Sequence, residues 1–553
     1  MINDIKIMTM RFNKFFTATA ITAIVMVASG CQKVLDEGPY NAFTDESVFT
    51  TPERALLALN GVYDAGQTGS TTLGGRGYPF GAATVEQGDN RGEDVVNLAA
   101  FYQVTYQGTY NPNTANNQAM WDNTYNMVNK ANIAIDGFKK VGSSGVISAS
   151  LALQYEAECR FLRALGHHEL LVHYARPFLD GNGTAAEGGV PYRDYAVTGS
   201  ETLDKLKTEK RPTVAEGYAK IIADLNFAET NLAITQSLGV VRATRAAAIA
   251  LKQRVYMHMG QWASAKAEGD KLIPATVTPL TPNSTVALIG GHRLMATPGE
   301  PFGLPGGNSV TAENIFSIKN DALDNSSVNG AMAQMYGSAD LGGRGLVSIS
   351  PIIWNRAEWL ATDLRRTQNN RLGGTANGTS AAGLAFMTTK YTDYVNRGDN
   401  CPIIRFAEVL LNQAEIEARI STGAVSARAV DLLNMVRNRA SATPAATQFT
   451  TASFADQTAF VGAILLERRI EFLSEGRRWP DIHRTAMDPI VALRAVGIPA
   501  KVNNGTTGSA LYGIGVPVTL GQAAIPYSDF RFIWPIPNGE VTQNPAIKQN
   551  PFY

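Results

Sequence analysis

Residues 403–440 read IIRFAEVLLNQAEIEARISTGAVSARAVDLLNMVRNRA and have the pattern of two helices joined by a turn. Apolar and small residues recur every three to four positions on both sides of Thr422-Gly423, the pair that stands where a turn is expected. The two facing stripes consist of Leu410, Ala414 and Glu417 in the first half and Val430, Leu433 and Val436 in the second. This stretch therefore predicts a hairpin of two packed helices.

Helical periodicity of this kind continues through the rest of the chain. The other predicted helical regions span residues 45–63, 121–138, 151–178, 218–232 and 246–273. In the last of these, Tyr256, Gly260, Trp262 and Ala265 have the spacing of the second half of a tetratricopeptide repeat, with the glycine in the turn. The hairpins follow one another at irregular intervals, whereas a regular solenoid has a fixed period. The sequence predicts a mostly α protein, a tetratricopeptide-like helix-hairpin platform with large irregular loop insertions and little β structure.

Two long segments interrupt the helices, residues 67–117 and 276–400. Both are rich in Gly, Asn and Tyr, and loops of this length are uncommon in a compact domain unless they carry function. A sugar presents a flat C–H face ringed by hydroxyls, so a site for it needs aromatic rings beside amide, carboxylate or guanidinium groups. The ligand-binding candidates in these segments are Tyr78, Phe80, Asn90, Arg91, Tyr102, Tyr106, Tyr336, Trp354 and Trp359. For each aromatic residue the alternative is a loop side chain packed onto the helices.

The first thirty residues have the composition of a targeting segment, which does not belong to the fold. Lys6, Arg11 and Lys14 precede an uncharged run over residues 15–30, which is shorter than the roughly 20 apolar residues of a spanning helix. Small residues lead directly into Cys31, as in the lipobox of bacterial lipoproteins. That resemblance implies cleavage before Cys31 and acylation of its sulfur and its new amino group, enough for stable anchoring. The alternative is an ordinary signal peptide followed by a chance cysteine.

The charge balance after the targeting segment is close to neutral. Removing residues 1–30 takes three basic and one acidic residue from 48 of each and leaves 45 Lys and Arg against 47 Asp and Glu. Nucleic acid or anionic lipid is therefore not expected as the main partner, because both require a basic footprint. The two cysteines after Cys31, Cys159 and Cys401, are too few for a disulfide scaffold and are expected to be buried thiols.

Signatures of catalysis or of a bound cofactor do not occur in the sequence. His168 and His173 lie five residues apart, so on one helix they point about 140° apart instead of sharing a face as zinc ligands do. The acidic cluster at 89–94 lacks the regular spacing of a calcium loop. No nucleophile elbow, P-loop or dinucleotide fingerprint is present. We expect no metal and no cofactor. A glycoside hydrolase stays open as an alternative, because paired carboxylates that meet only in the fold leave no signature.

Several motifs accompany the hairpin of residues 403–440 in a fixed order. They are TDESVF at 44–49, IRFAEVLLNQAE at 404–415, VRNRA at 436–440, ILLERRIEF at 464–472, EGRRWPDI at 475–482, WPIPNGE at 534–540 and NPAIKQNP at 544–551. Together they resemble the SusD/RagB family over essentially the whole chain after residue 30. Two residues depart from the family pattern: Pro480 is a less usual choice, and Phe552 stands where glycine is more common.

The resemblance implies a single SusD-like domain over residues 31–553. Its parts are an N-terminal part at 31–235, a tetratricopeptide-like hairpin at 236–275, a loop-rich ligand-binding insertion at 276–400 and a C-terminal part at 401–553. It further implies a non-enzymatic lipoprotein on the extracellular face of the outer membrane, tethered through Cys31. Such a protein binds a glycan (an oligo- or polysaccharide) and passes it to a SusC-like TonB-dependent transporter, for which it acts as a lid. RagB-like relatives imply peptide capture as the alternative, and a surface glycoside hydrolase or a tetratricopeptide-type scaffold is less favoured.

The charged motif near residue 470 also has a structural interpretation. In the helix predicted at 464–474, Arg468 and Glu471 stand three apart, so we expect them to pair and to orient the helix rather than to catalyse. Gly476 is expected to form the turn that ends this helix.

Overall fold

The computed structural model describes residues 48–280, 286–302, 310–421 and 424–553. It divides into two compact units, Met1–Ala58 and Leu59–Tyr553. Of the first unit only residues 48–58 are described, and they include the start of helix α1 (Pro52–Gln67). The targeting segment, Cys31 and the predicted turn at Thr422-Gly423 lie outside the described residues.

The described part of the chain is mostly helical, with 49% of its residues in helices and few short strands, which confirms the predicted fold class. In chain order the α-helices after α1 are α2 (Ala82–Arg91), α3 (Gln103–Gln107), α4 (Ala115–Ser144), α5 (Ala149–Tyr174), α6 (Ser200–Leu206), α7 (Val214–Asn231), α8 (Arg245–His258), α9 (Trp262–Asp270), α10 (Met332–Tyr336), α11 (Pro351–Trp354), α12 (Arg365–Gln368), α13 (Phe406–Ile420), α14 (Ala427–Arg439), α15 (Pro444–Thr447), α16 (Gln457–Glu471), α17 (Arg478–Thr485) and α18 (Asn538–Gln543).

The strands of the described residues form four separate antiparallel pairs. They are β1 (Val95–Asn97) with β3 (Val347–Ile349), β2 (Asn314–Ile318) with β6 (Cys401–Arg405), β4 (Asn370–Gly374) with β5 (Leu384–Thr388), and β7 (Gly497–Ile498) with β8 (Ile525–Pro526). Because two-stranded pairs have little stability of their own, these strands depend on the helices on which they pack.

Most of these helices pack on a helix near them in the chain, and the predicted hairpins α8–α9 and α13–α14 are among these pairs. Helix α4 packs on α5, α5 on α7, α7 on α8, α8 on α9, α9 on α13, and α13 on both α14 and α16. Local polar contacts fix where several of them begin. Ser148 accepts a hydrogen bond from the backbone N–H of Leu151 at the start of α5, and Thr213 and Glu216 form a reciprocal capping box at the start of α7.

The tetratricopeptide-like hairpin α8–α9 has the predicted features. Gly260 lies between the two helices with a φ of 66°, and a Cβ atom there would be 2.7 Å from Leu179 Cδ2. Ala265 is fully buried in a cluster with Met257 and Ile416, which brings α9 close to α13. The glycine permits the left-handed turn and the alanine permits the close approach.

The first irregular segment contains a helix that periodicity did not predict. Nine of the ten residues of α2 are buried, including Glu86, Asp89, Asn90 and Arg91. A helix that is covered on all sides need not have one apolar stripe, and with buried polar residues it shows no amphipathic periodicity. The expectation of an irregular loop is therefore wrong for residues 82–91.

The two irregular segments lie side by side. Strand β1 of the first segment pairs with β3 of the second, with Val95 opposite Ile349 and Asn97 opposite Val347. Tyr336, at the end of α10, donates a hydrogen bond to Asp89 of α2 at 2.7 Å. These contacts place the loops of both segments at one surface.

Buried ion pairs hold the second segment against α16. Arg405 of β6 donates to Glu475 at 2.9 Å, to Glu313 at 2.5 Å and to Glu471 at 3.1 Å. Lys390 donates to Glu475 at 2.7 Å. All five side chains are at most 4% exposed. The charged motif is thus part of the interior.

The pairing expected between Arg468 and Glu471 is wrong. Arg468 donates to Asp481 at 2.9 Å, whereas Glu471 accepts from Arg439 at 2.5 Å. Each residue faces a different neighbouring element, and long-range partners replace the local one. Gly476 follows the helix with a φ of 72°, as expected for a turn.

No helix in the described part of the chain is long and apolar enough to cross a membrane. Cys159 and Cys401 are free and buried, as predicted.

Candidate ligand-binding surface

The nine candidate residues predicted from the sequence are all interior residues. Their exposed fractions are Tyr78 0%, Phe80 3%, Asn90 0%, Arg91 0%, Tyr102 0%, Tyr106 1%, Tyr336 0%, Trp354 6% and Trp359 0%. The alternative stated for the aromatic residues, packing onto the helices, describes their position in this structure. Of the nine, Tyr102 packs against Phe101 of the surface described below.

Three of the predicted tyrosines surround α2. Tyr78 accepts a hydrogen bond from Gln87 at 2.9 Å, and Tyr336 donates to Asp89 at 2.7 Å. Burial raises the pKa of Tyr102 well above its ordinary value, and the nearby Tyr78 and Glu86 add to this effect. The structure therefore brings residues from both irregular segments together, but around a buried helix.

Arg91 and Asn90 lie at the other end of α2. The Arg91 guanidinium carbon is 3.3 Å from the ring centre of Trp479 and 5.0 Å from that of Trp534, and a guanidinium nitrogen donates to the backbone oxygen of Phe532. The backbone oxygen of Asn90 accepts a hydrogen bond from Lys501 at 2.5 Å. Both residues thus connect α2 to the last part of the chain.

The remaining candidates also pack in the interior. Tyr106 donates to the backbone oxygen of Val502 at 2.8 Å. Trp354 stacks on Phe386 with ring centres 3.6 Å apart and meets Trp359 edge-on at 5.2 Å. Phe80 is buried in the loop that leads into α2. Each contact satisfies a polar group or buries a ring, so each stabilises the loops.

Sequence reasoning missed the aromatic ring that does reach solvent where the two segments meet. Phe101 is partly exposed, and its ring packs edge-on against the buried Tyr102 at 5.3 Å. The guanidinium carbon of Arg76 lies 4.6 Å from the Phe101 ring centre, and that of Arg344 lies 5.8 Å from it. We call Arg76, Phe101 and Arg344 the Phe101 surface.

The backbone of Arg76 is strained. Its φ is 97°, in the region that favours glycine, and it stands in the sequence Gly74-Gly75-Arg76-Gly77. The glycines allow a tight turn: a Cβ atom on Gly75 would be 2.5 Å from the backbone oxygen of Thr68. A single long side chain within a glycine-rich loop is the sequence signal that could have identified this residue.

Arg344 is held by the second segment. It donates to Asn329 at 2.9 Å and to the backbone oxygen of Val328 at 3.2 Å. Arg76, in contrast, makes no hydrogen bond through its side chain to any described residue, and its guanidinium is exposed beside the ring. Arg344 is thus held in one orientation, and Arg76 has N–H donors available for a ligand.

Buried carboxyl groups lie behind this surface. Glu86 is fully buried and its carboxylate oxygens have no hydrogen-bond partner among the described residues. Burial raises its pKa well above the usual range, the nearby Asp89 adds to this, and Arg344 acts in the opposite direction. Burial also raises the pKa of Asp89 to about 7, although hydrogen bonds from Tyr336 and Gly476 oppose the shift.

Neither a metal site nor a tight histidine pair accompanies this surface. Among the described residues no group of three or more His, Cys, Asp or Glu side chains has the geometry of a metal site. His168 packs against His258 with ring centres 4.7 Å apart, and His173 stacks on Trp534 at 4.5 Å. The two histidines therefore face different neighbours, as their five-residue spacing predicts.

A platform of helix hairpins interrupted by two long irregular segments defines the class of fold. The family model described as "SusD family" matches residues 358–553, and the model described as "Starch-binding associating with outer membrane" matches residues 81–257. The chain belongs to the SusD/RagB family.

Full-length relatives agree with this assignment. The chain is 23% identical to SusD-like protein P38 of Formosa agariphila, over 97% of this chain and 99% of that protein. The crystal structure of a SusD superfamily protein from Bacteroides fragilis superposes with a TM-score of 0.70 at 27% identity, covering 91% of this chain and all of that one. A SusD-like carbohydrate binding protein from Bacteroides vulgatus gives a TM-score of 0.69 at 17% identity over 90% of this chain and 97% of its own, and shows the fold alone.

Proposed function

We propose that this chain is a cell-surface lipoprotein that binds a glycan and delivers it to a SusC-like TonB-dependent transporter of the outer membrane, for which it acts as a lid. The Phe101 surface carries the proposal, because there the two irregular segments meet and a partly exposed aromatic ring has two guanidinium groups near it. In this role the protein binds its ligand without catalysis. The functional unit is a single SusD-like domain over residues 31–553.

The chemistry of the Phe101 surface suits a sugar ring. The C–H face of a sugar stacks on an aromatic ring, while its hydroxyl groups need donors at the ring edge. Arg76 offers N–H donors near the Phe101 ring, and Arg344, whose guanidinium is also near the ring, is oriented by its hydrogen bond to Asn329. The family model described as starch-binding covers the stretch that includes Phe101, which supports the choice of a carbohydrate.

Peptide capture is the second candidate for the same surface. A guanidinium group binds a carboxylate strongly, so the two arginines would also suit the acidic groups of a peptide. The nearly neutral charge balance of the chain after residue 30 favours an uncharged ligand, and we place the glycan first for that reason.

Native gels that contain soluble starch, laminarin, xylan or galactomannan test glycan binding. We expect at least one polysaccharide to slow the migration of the purified protein, and Phe101→Ala to weaken that binding about tenfold through loss of the stacking contact. Arg494→Ala, which removes an exposed arginine elsewhere, is the matched control and should bind as the unmodified protein does.

Three outcomes separate the candidates. Binding to a mixed peptide library but to none of the four polysaccharides would favour peptide capture. Release of shorter sugars from the bound polysaccharide would favour a hydrolase. If neither polysaccharides nor peptides bind, with or without the transporter, the capture role is wrong.

Membrane attachment rests on the lipobox that ends at Cys31. We expect labelled palmitate to be incorporated into the protein in cells and Cys31→Ser to abolish the label, because the thiol carries the diacylglycerol. Processing that continues unchanged in the presence of globomycin would contradict the anchor. Pull-down from detergent-solubilised membranes tests the partner, and a TonB-dependent transporter should be recovered with the lipidated protein.

A further inference from the structure

A large groove lies away from the Phe101 surface, between the loop that follows α5 and the last residues of the chain. Its volume is about 850 Å³, within the range of clefts that hold small molecules. Residues 176–188 form one wall, and Phe530, Ile533 and residues 548–552 form the other. We call it the Phe552 groove.

The aromatic residue at the edge of this groove has an unfavourable conformation. Phe552 is 88% exposed and has a φ of 70°, in the left-handed region that favours glycine. It therefore bears backbone strain and gains almost nothing from burial. Strain of this kind persists where another requirement maintains it, and such residues cluster at ligand sites.

The opposite wall of the groove shows the same property. Glu187, which lines the groove, and Asn182, within the same loop, both have a φ of 56°. One residue on each wall, Glu187 and Phe552, is thus a non-glycine residue in a left-handed conformation.

Most polar groups of the groove are already satisfied within the protein. Lys548 pairs with Glu187 at 2.6 Å, and Arg176 donates to the backbone oxygens of Tyr527 and Asp529. Asp180 accepts a hydrogen bond from the Tyr527 hydroxyl at 2.6 Å. Because these polar groups already have hydrogen-bond partners within the protein, the groove suits a ligand that is rich in hydroxyl groups.

A second ring extends the aromatic character of this surface. Phe530 lines the groove, and its ring meets that of Tyr553 edge-on at 4.7 Å. Phe552 therefore stands beside an ordered aromatic pair and not on an isolated loop tip. Aromatic faces next to hydroxyl and amide groups have the chemistry that recognises a sugar ring.

We propose that the Phe552 groove is a second carbohydrate-binding surface, in which the exposed ring of Phe552 stacks on a sugar of the same neutral glycan that the protein captures. The proposal rests on the proposed function in one respect, namely that the protein binds a glycan. The strained backbone at residue 552 is retained because the side chain serves binding.

Phe552→Gly separates strain from binding. Glycine adopts a φ of 70° without strain, so this variant should unfold at a temperature equal to or above that of the unmodified protein. At the same time its affinity in native gels that contain soluble starch, laminarin, xylan or galactomannan should fall about tenfold for the polysaccharide that binds the unmodified protein. Phe552→Tyr keeps the ring and should preserve binding.

Leu323→Ala is the matched control, since Leu323 is 99% exposed and lies outside the groove. It should leave polysaccharide binding unchanged. In a Phe101→Ala background, the residual binding should be lost when Phe552→Gly is added, as expected for two separate surfaces.

The outcomes distinguish this proposal from the proposed function. If the unmodified protein binds a polysaccharide and Phe552→Gly binds it equally well, the groove is not a carbohydrate surface, and the Phe101 surface is unaffected. If Phe552→Gly keeps polysaccharide binding but no longer co-purifies with a membrane protein, the groove docks a protein and the proposal is overturned. If the unmodified protein binds no polysaccharide, both proposals fail together.

Discussion

Arg76 has a strained backbone and an exposed side chain. Replacing it is therefore expected to raise the stability of the fold and to lower the affinity for the ligand. Arg76→Gly relieves the positive φ, so we expect the free energy of unfolding to rise by up to about 1 kcal/mol. The same change removes the guanidinium beside Phe101, so the affinity for the bound polysaccharide should fall. Urea unfolding and native gels with the polysaccharide measure the two effects.

Ser474→Gly provides the control for strain without binding. Ser474 also has a positive φ, of 64°, but it is buried in the turn after α16. Its replacement should stabilise the protein and leave the affinity unchanged. A loss of affinity in both variants, or a loss of stability in Arg76→Gly, would show that residue 76 acts through the loop conformation and not through its side chain.

The nine side chains that the sequence suggested as ligand-binding candidates are buried in this structure. Aromatic residues of irregular loops have no periodicity that separates inward from outward positions, and their large apolar area favours burial. Tyr78, Tyr102 and Trp359 are therefore buried, while Phe101, adjacent to Tyr102 in the chain, reaches solvent. Of the three residues of the Phe101 surface, only Arg76 stands in a recognisable sequence pattern, the glycine-rich loop at 74–77.

The buried ion pairs between β6 and α16 decide whether the second irregular segment stays in place. Burial works against the ionisation of Glu471, but Arg439, Arg405 and Arg365 outweigh it and hold its pKa well below the usual range. Arg405→Met leaves Glu471 and Glu475 without one of their cations. We expect a loss of about 3–5 kcal/mol in the free energy of unfolding, because an uncompensated charge stays buried.

Urea unfolding at pH 7.5 tests this loss against an exposed ion pair. Arg531 pairs with Asp529 at 2.7 Å and its side chain is 38% exposed, so Arg531→Met should cost less than about 1 kcal/mol. Glycan affinity should fall in Arg405→Met only under conditions where the variant is partly unfolded. Equal stability losses in the two variants would mean that burial does not set the strength of these pairs.

Helices with periodic apolar residues were predictable, and the polar, buried helix α2 was not. Periodicity located α5 and the amphipathic helix α7, and the spacing from Tyr256 to Ala265 located the hairpin α8–α9. Helix α2 was not predicted because its polar residues are buried. The partners of Arg468 and Glu471 were not predicted because ion pairs between distant elements depend on tertiary packing, which the local sequence does not contain.

Over the whole molecule, burial shifts two sets of titrating groups in opposite directions. It lowers the pKa values of all six histidines, to about 3 for His167 and His483. It raises those of several carboxyl groups, to about 7 for Asp89 and about 6 for Asp399. The histidines stabilise the fold above pH 6.5, their unfolded value, and this contribution is lost as the pH falls. The raised carboxyl groups stabilise the fold at low pH, and that contribution is lost as the pH rises through 6 to 7.

These opposing contributions predict a stability profile with two regimes. Between about pH 7 and 5.5 the gain from the carboxyl groups opposes the loss from the histidines, so the urea midpoint should change less steeply than at lower pH. Below about pH 4.5 the unfolded chain protonates its carboxyl groups as well, and the gain stops growing. There the histidines continue to favour unfolding, and Glu415 adds to this effect. Arg484 and Arg419 hold the pKa of Glu415 well below its usual range, against the effect of burial. Stability should therefore fall steeply between about pH 4.5 and 3, as measured by circular dichroism in urea at constant ionic strength.

Two results would contradict this profile. A steady decline in stability that begins at pH 6.5 would mean that the carboxyl groups with raised pKa values do not offset the histidines. An unchanged urea midpoint at pH 3.5 would mean that the histidines accept protons without unfolding of the protein.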